Sequence, residues 1–361
     1  MLLINFAMDR SSPVLPWQAA VADALVERAA AVHVVTEWLG DYVAPSRLTL
    51  DAIPRRPLGV PRRVGGLWLA VPRVVRAIER FRPNVCFVHM AHEWCYRIGP
   101  YLRARGIPIL LWYAHGAVPW KLHVSAQIAT RIVTSTPEGF RIQSPKKRVI
   151  GQAIDTALFD VPADRRPARE IVTVGRISRR KNLALLIEAM AKLVNRPELV
   201  ATRLRIVGPE LTADDRVYRA ELDTLVARRG LEGMVGIEGP MTQPETAALY
   251  STAALHVNVS GTGSMDKTVM EALSAGCPVV TSNVAFVETL AEFPEMLIEA
   301  PSPESLAERM AAWLDGRFAA EPGSLRAIVK GRHDLEGYAN RIVVELQSLV
   351  DEAHARQRAA T

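Results

Sequence analysis

The sequence predicts an α/β protein with two Rossmann-like domains in tandem. Short apolar runs alternate with helical segments from the N-terminus onward, a pattern typical of a parallel sheet covered by helices. The alternation stops at residues 160–169, which are rich in proline, alanine and arginine, and then begins again. The length of 361 residues also suits two domains of ordinary size. We therefore expect a first domain over residues 1–160, a linker at 161–169 and a second domain over 170–334.

In the first domain, apolar runs and amphipathic stretches place the elements. The predicted strands are 2–7, 32–37, 85–89, 109–114, 132–135 and 149–151, and the predicted helices are 17–30, 73–80 and 97–105.

The second domain repeats this pattern. The predicted strands are 171–174, 203–207, 235–239, 255–259 and 279–282, and the predicted helices are 183–194, 215–229, 245–253 and 269–275. A last helix, about 335–355 within the segment 335–361, is predicted to cross back onto the first domain. Because ligands of doubly wound sheets bind beyond the carboxyl ends of the strands, we expect the active site between the two lobes.

Composition excludes several classes of protein. Hydrophobic residues make up 49% and charged residues 23%, as in a folded protein with a sizeable core. The longest apolar runs fall well short of the roughly 18 residues that span a bilayer, and no signal peptide precedes the first strand. We therefore expect a cytoplasmic protein. Cys86, Cys95 and Cys277 have no Cys-x-x-Cys spacing, which favours core thiols over a disulfide framework or a zinc site.

The net charge of +6 suggests an anionic partner. No nucleic-acid recognition motif accompanies the charge, so nucleic acid is not expected. The basic residues concentrate in one stretch, interleaved with apolar residues: Arg55, Arg56, Arg62, Arg63, Arg73, Arg76, Arg80 and Arg82. Such a stretch is compatible with peripheral docking onto an anionic membrane and equally with a solvated helix face, so both interpretations stay open.

A strand end followed by two cations indicates a diphosphate site. The strand ends at Val174-Gly-Arg176, and the following turn ends at Lys181, with Asn182 placed to open the next helix. Free N–H groups at a helix N-terminus and the charges of Arg176 and Lys181 would converge on an anion. Taken alone, the two cations also fit an ordinary surface loop.

A glycine-rich loop that leads into a helix is the second predicted anion site. The loop follows the strand 255–259, contains Gly263, and leads into a helix that begins near Asp266 and carries Glu271. Small residues let a ligand approach the backbone, and the amides of residues 264–267 would face an anion. The Glu271 carboxylate can accept hydrogen bonds from both hydroxyls of a ribose. The alternative is that Asp266 is an N-cap and Glu271 a surface acid.

Together these motifs resemble the retaining GT-B glycosyltransferases of the group 1, or family 4, class. The segments that carry the resemblance in the second half are Val174-Gly-Arg176 with Lys181, Ile206-Val-Gly208, Gly239-Pro-Met, and the loop to Glu271 ending in Gly276-Cys-Pro-Val-Val. Those in the first half are His115-Gly116, Thr134-Ser-Thr-Pro and Ile150-Gly-Gln-Ala-Ile-Asp155. The resemblance implies the GT-B architecture, with two Rossmann-like domains facing a central cleft.

The resemblance also implies a function. A sugar would pass, with retention of configuration and without a metal ion or other cofactor, from a UDP- or GDP-sugar in the second domain to an acceptor in the first. The acceptor would be a glycan or lipid-linked glycan in cell-envelope polysaccharide or glycolipid assembly, reached at the inner face of the membrane. The implied nucleotide-sugar contacts are Arg176, Lys181, Gly208, Pro240, Met241, Gly263, Ser264, Met265, Thr268 and Glu271. The oligomeric state is left open.

The sequence departs from the family pattern in two loops. The family carries a first Glu eight residues before the ribose Glu, and this chain has Gly263 there. We hypothesise that Asp266 supplies the missing sugar contact or that Lys267 reaches the phosphate. The loop after the first strand lacks the usual glycines, and there Ser11 and Ser12 permit a close approach while Arg10 offers a phosphate contact. The role of that loop is left open.

His115 follows a strand and precedes a glycine, which predicts a place in the cleft at the donor sugar. In enzymes of this kind the donor's leaving phosphate is thought to take the acceptor proton, so we expect His115 to position reactants rather than act as a base. The cluster His89-Met-Ala-His92-Glu93 lacks the second histidine of a zinc motif, and no metal site is expected. By the same resemblance Asp155 is interpreted as structural.

Other functions remain open at this stage. A nucleotide-sugar epimerase or a sugar phosphorylase would share the fold and the diphosphate site, and the missing Glu leaves room for a non-catalytic nucleotide-sugar-binding protein. A dinucleotide-dependent oxidoreductase is disfavoured because residues 6–13, after the first strand, contain no glycine.

Overall fold

A computed structural model describes residues 1–12, 14–53, 70–162, 169–261 and 263–360. The chain divides into two compact units. Unit 1 comprises Met1–Ala153 and Leu335–Thr361, and unit 2 comprises Ile154–Asp334. Most of the expected linker at 161–169 lies outside the described residues.

Unit 1 contains a parallel sheet with helices on both faces. Its elements up to residue 149 are β1 (Leu2–Met8), α1 (Trp17–Arg28), β2 (Val32–Leu39), β3 (Leu48–Ala52), α2 (Val71–Phe81), β4 (Cys86–His89), α3 (Glu93–Ala104), β5 (Ile109–Trp112), α4 (Trp120–Ile128), β6 (Arg131–Thr134) and β7 (Lys147–Val149). The seven strands lie in the order β3-β2-β1-β4-β5-β6-β7.

The strands of unit 1 are apolar because the sheet is buried on both faces. Along β1, Leu2 and Ile4 belong to the core on one face of the sheet, whereas Leu3 and Met8 belong to the core on the other. A strand buried on both faces needs a continuous apolar run, which is why β1 was predictable. Two elements of unit 1, β3 and α4, were not predicted from the sequence. The first is a half-exposed edge strand, and the second is a short helix without a side-chain cap.

Unit 2 is a second parallel α/β unit. Its elements are β8 (Glu170–Val174), α5 (Leu183–Leu193), β9 (Arg203–Val207), α6 (Ala213–Arg228), β10 (Val235–Glu238), α7 (Gln243–Thr252), β11 (Leu255–Asn258), α8 (Lys267–Ser274), β12 (Val279–Thr281), α9 (Pro303–Leu314) and α10 (Pro322–Arg332). The strands lie in the order β10-β9-β8-β11-β12.

Side-chain caps fix the starts of three helices in unit 2. Reciprocal capping boxes open α6 at Thr212, α7 at Thr242 and α9 at Ser302. The sequence analysis predicted α6 and α7 within two residues at each end, but it missed α9 and α10.

A last helix, α11 (Leu335–Ala360), completes unit 1 and is longer than the predicted 335–355. Tyr338, Ile342 and Leu346 are buried in the same core as α1. At the rim, the Arg28 Nε of α1 donates to the Asn340 side chain at 2.6 Å, and Arg131 pairs with Glu345. The helix is therefore part of the first unit although it follows the second in the chain.

Two expectations from composition can be compared with the structure. Cys86, Cys95 and Cys277 are buried free thiols, as predicted, and burial raises the pKa of Cys86 and Cys95. Across the described residues, no helix combines the length and the apolar character that crossing a membrane requires.

Candidate functional site

The candidate site lies at the carboxyl edge of the unit 2 sheet. Because its strands are parallel, the ends of β8, β9 and β11 point to the same edge. Arg176 follows β8, Gly208 follows β9, and the loop 259–266 follows β11. The topology thus gathers residues that are far apart in the sequence.

Glycine at position 208 allows two strand ends to approach each other closely. A Cβ atom on Gly208 would lie 1.9 Å from the carbonyl oxygen of Gly175, and the φ of Gly208 is 156°. Backbone atoms cannot swing aside as a flexible side chain can, so any larger residue would force β8 and β9 apart. Gly208 therefore shapes the place from which Arg176 projects.

Arg176 is held by the N-terminus of α6. Its Nε donates to Asp215 Oδ2 at 2.7 Å, and its Nη2 donates to the Thr212 hydroxyl at 3.3 Å. Burial raises the pKa of Asp215, but hydrogen bonds from Arg176 and from the Leu211 and Thr212 amides outweigh it and keep this pKa below its usual value. The Arg176 side chain remains 41% exposed, so its guanidinium is oriented and still accessible.

Lys181 is held by a shielded carboxylate. Its Nζ lies 3.1 Å from Asp266 Oδ2, and the Asn258 side-chain amide donates to the same oxygen at 2.9 Å. The Lys181 and Asp266 side chains are only 18% and 14% exposed, so water screens this ion pair weakly. Asp266 is at the N-cap position of α8 but makes no side-chain cap. Its carboxylate instead fixes the amine of Lys181.

Glycine and an asparagine determine the course of the loop before α8. Gly263 has a φ of 62°, in the left-handed region that other residues rarely adopt. A residue with a side chain in its place would have to take this strained conformation. The Asn283 side-chain amide donates to the Ser264 carbonyl at 2.7 Å, and Met265 packs into the core.

Several polar groups near the start of α8 have no partner among the residues that the structure describes. In the described part of the chain, the backbone amides of Ser264, Met265 and Asp266 have no hydrogen-bond acceptor. The Thr268 hydroxyl is buried and equally has no partner among these residues. Buried polar groups are normally paired, and a helix N-terminus carries partial positive charge. This end of α8 therefore fits an anionic ligand.

Lys267 and Glu271 lie one turn apart on α8, and the charge of each changes the pKa of the other. Burial raises the pKa of Glu271, and the neighbouring Lys267 ammonium opposes that rise. Burial lowers the pKa of Lys267, and the Glu271 carboxylate opposes that change. Glu271 is thus paired with Lys267 on the helix that begins at the candidate anion site.

The pKa of His256 on β11 depends on the charges of the neighbouring pair Lys181 and Asp266. Burial, and then the Lys181 cation, lower the pKa of His256 to about 3, while Asp266 opposes this shift. The ring packs edge-on against Tyr250, with 5.3 Å between the ring centroids. His256 therefore stays neutral at physiological pH.

Pro240 and Met241 follow β10, at the edge of the same sheet. The Gly208 amide donates to the Glu238 carbonyl at 3.3 Å, which joins the end of β10 to the end of β9. Pro240 is exposed, and Met241 packs partly against the unit 2 core.

His115 belongs to unit 1, where it follows β5. Its backbone amide donates to the Gly139 carbonyl at 2.9 Å, and its Nδ1 accepts from the Ala117 amide at 3.0 Å. Because Nδ1 accepts, a neutral His115 ring carries its proton on Nε2. The half-buried ring is therefore held with Nε2 as a donor.

The polar side chains of the loop after β1 contact other residues of unit 1. Arg10 Nη2 pairs with Asp23 Oδ2 at 2.5 Å, and the guanidinium lies over the Tyr42 ring. The Ser11 hydroxyl donates to Asp9 Oδ1 at 2.9 Å. The phosphate contact expected of Arg10 would thus have to compete with a carboxylate.

The two remaining predictions in unit 1 concern lipid and metal. Half of the basic segment, from Arg55 to Arg63, lies outside the described residues, so lipid docking stays a prediction. Arg80 on α2 pairs with Asp51 at 2.6 Å. The described residues include no group of three or more His, Cys, Asp or Glu side chains that could hold a metal ion.

The sequence analysis missed three residues that organise the site: Asp215, Asn258 and Asn283. Asp215 was detectable, because Thr212-Ala-Asp-Asp215 has the spacing of a capping box. Asn258 and Asn283 carry no local signal, since their partners lie 8 and 19 residues away. Asp155 accepts a hydrogen bond from the Leu158 amide at 3.1 Å, in line with its structural interpretation.

Comparison with known proteins locates the family signal in unit 2. Residues 168–316 match the model of the family described as glycosyl transferases group 1. The D-inositol 3-phosphate glycosyltransferase of Thermobispora bispora is 30% identical over 177 residues, which are 47% of this chain and 39% of that protein. The putative colanic acid biosynthesis glycosyltransferase WcaL of Escherichia coli is 30% identical over 203 residues, or 52% and 47% of the two chains. The chain thus spans less than half the length of these relatives.

Similarity of structure covers nearly the whole chain. Alr3699/HepE of Anabaena, solved in complex with UDP, superposes with a TM-score of 0.77 at 17% identity, over 96% of this chain and 100% of the other. At this identity the likeness shows the fold, which is the α/β GT-B fold expected from the sequence. The similarity in sequence to the group 1 glycosyltransferases covers residues 168–316, less than half of the chain, and the similarity in structure covers nearly the whole chain.

Proposed function

We propose that this protein transfers a sugar from a nucleoside diphosphate sugar to an acceptor, with retention and without a metal ion. The observation that supports this most is the set of positive groups at the carboxyl edge of unit 2. Arg176 and Lys181 are each oriented by a carboxylate, and the amides of Ser264, Met265 and Asp266 have no acceptor in the described part of the chain. Such a set of donors suits a diphosphate, whose oxygens accept several hydrogen bonds at once.

In this proposal unit 2 binds the donor. Arg176, Lys181 and the amides contact the diphosphate, Glu271 accepts from the ribose hydroxyls, and the backbone at Pro240 and Met241 lies against the base. Lys181 and the start of α8 then stabilise the charge that develops on the leaving diphosphate, which is the role a metal ion has in other transferases. Structures of the Anabaena neighbour with UDP and with UDP-glucose support a donor of this class.

Unit 1 is proposed to bind the acceptor, with the Nε2–H of His115 directed at the donor sugar. The names of the curated relatives support two acceptor classes: a growing glycan, as for the colanic acid enzyme, and a phosphorylated polyol, as for the inositol phosphate enzymes. We favour a glycan or lipid-linked glycan, reached by peripheral contact with the inner face of the cell membrane.

Thermal-shift screening against UDP-, GDP- and ADP-sugars tests the donor site. A ligand that binds only the folded state raises Tm. We expect a rise with the nucleotide sugars of one base and with the free nucleoside diphosphate of the same base. Nucleotide release in the presence of acceptor, unchanged by EDTA, would then establish metal-independent transfer. No stabilisation by any nucleotide would contradict the proposal.

The same samples separate the alternatives. An epimerase would change the sugar without releasing nucleotide, a phosphorylase would need inorganic phosphate, and a binding protein would show stabilisation without turnover on any acceptor.

A further inference from the structure

Unit 1 contains a pocket far from the strand ends at which this fold binds ligands. Its volume is about 440 Å³. Its walls are the segments that precede β5, β6 and β7, the end of α3 and the second half of α11. It therefore opens at the amino edge of the sheet, whereas His115 lies at the carboxyl edge. The volume falls within the range of small-molecule sites, roughly 300–1,000 Å³.

Among the described residues, the pocket lining carries three cations and no carboxylate: Arg103, Lys146 and Arg356. The Arg103 side chain has no hydrogen bond or ion pair with any residue that the structure describes. Arg356 contacts Glu352, at 3.4 Å on its own helix, and Glu352 is also held by Arg131. The positive charge of the pocket is therefore largely uncompensated by the protein.

Lys146 is held in a fixed position. Its Nζ donates to the carbonyls of Gln127 at 2.8 Å, Ala129 at 2.9 Å and Ala126 at 3.3 Å, which fixes the ammonium at the C-terminus of α4. Burial, and then the nearby Arg103 cation, lower the pKa of Lys146. Two cations thus repel each other in this pocket, and an anion between them would relieve that repulsion.

The rest of the lining is suited to an organic body beside the charge. Ile107, Pro108, Leu349 and Ala353 form an apolar wall. The Thr130 hydroxyl accepts from the Ile109 amide at 3.0 Å, so its own proton is available for a further acceptor. The pocket therefore combines an apolar surface with convergent donors.

We propose that this pocket binds a phosphomonoester anion, with the phosphate at Arg103 and Arg356 and the organic part on the apolar wall. A guanidinium donates two parallel hydrogen bonds to a phosphate, which suits two arginines better than a diffuse basic surface would. Both a soluble sugar phosphate and the phosphatidic acid headgroup have this chemistry. The site is separate from the nucleotide site in unit 2 and does not depend on the proposed function.

Calorimetric titration of the 361-residue chain with glucose 6-phosphate tests the pocket. We expect saturable binding that the double variant Arg103→Ala/Arg356→Ala weakens by at least about tenfold, because two charge-assisted contacts are lost. Ala353→Trp, which fills the pocket without changing its charge, should weaken binding equally. Arg141→Ala, which removes an exposed cation elsewhere in unit 1, should have no effect.

Two further measurements complete the test. Lys181→Ala should leave glucose 6-phosphate binding unchanged, because that residue belongs to unit 2. Co-sedimentation with phosphatidylcholine vesicles with and without phosphatidic acid distinguishes the sources: loss of vesicle binding in the double variant indicates the lipid, and binding of glucose 6-phosphate alone indicates the soluble ester. Equal affinity in wild type and in both pocket variants, or binding of neither probe, overturns the proposal.

Discussion

Each unit contains a parallel sheet of its own, but the charged side chains at the carboxyl edges of the two sheets have different partners. In unit 2, Arg176 and Lys181 are fixed by Asp215 and Asp266, and the amides of residues 264–266 have no acceptor among the described residues. In unit 1, the loop after β1 turns Arg10 towards Asp23. The same strand–loop–helix topology therefore provides a prepared anion site in one unit and a self-contained polar loop in the other.

Unit 1 instead exposes aromatic surface. Trp38, at the end of β2, is 61% exposed, and Trp120, at the start of α4, is 69% exposed, with Tyr96 beside it. Exposed indole rings suit a neutral or amphipathic acceptor better than a diphosphate. The two units therefore present different side chains although they share a topology.

The largest effect should come from removing the shielded cation of unit 2. Lys181→Ala removes the proposed phosphate contact and leaves Asp266 without its cation, so we expect kcat/KM for the donor to fall about 10²- to 10³-fold. Arg10→Ala, in the corresponding loop of unit 1, should change it by less than about twofold. Steady-state kinetics on both variants compares the two units directly. Equal losses of kcat/KM would show that the two units do not differ in donor binding.

The next effect concerns the partner of Lys181. Asp266→Asn removes one member of a shielded ion pair, so the free energy of unfolding should fall by about 3 kcal/mol. UDP should restore part of that loss, because its phosphates replace the missing charge, and its effect on Tm should exceed that in wild type. Asp214→Asn, an exposed acid in the first turn of α6, is the control. If Asp266 contacts only the sugar, stability and UDP binding will stay unchanged while UDP-sugar binding weakens.

A smaller effect is expected in unit 1. His115→Ala should lower kcat about tenfold or more through loss of a positioned donor, while the Tm rise produced by UDP stays as in wild type. Binding of UDP measured alongside turnover separates the two quantities. A weaker UDP affinity in this variant would mean that unit 1 takes part in nucleotide binding.

The last prediction concerns the pH dependence of stability. The pKa of His256 is about 3 in the folded protein and near 6.5 when unfolded, so below pH 6.5 the unfolded state binds more protons. The free energy of unfolding should therefore decrease as pH falls from 6.5 towards 3, by up to about 2 kcal/mol between pH 6.5 and 5 from this group. Urea unfolding of His256→Gln should show a shallower dependence, whereas exposed His123→Gln should match wild type.

The sequence predicted the elements that are buried on both faces and the glycine and cation positions of the site. It did so because continuous apolar runs and strand-end motifs are local signals. It did not predict that Asp266 would hold Lys181, because that contact joins residues 85 positions apart through Asn258 on a third segment. Nor did it predict that Gly263 occupies a left-handed conformation, which only the path of the folded loop imposes.

The place of α11 in unit 1 has a consequence for synthesis of the protein. Tyr338, Ile342 and Leu346 fill the core against α1, yet a ribosome makes them only after all of unit 2 has been made. Until then unit 1 leaves an apolar face uncovered, whereas unit 2 has all of its strands as soon as residue 334 has emerged. The second unit in the chain is therefore the first that can finish folding, and the nascent N-terminal unit is the part that would need protection by a chaperone.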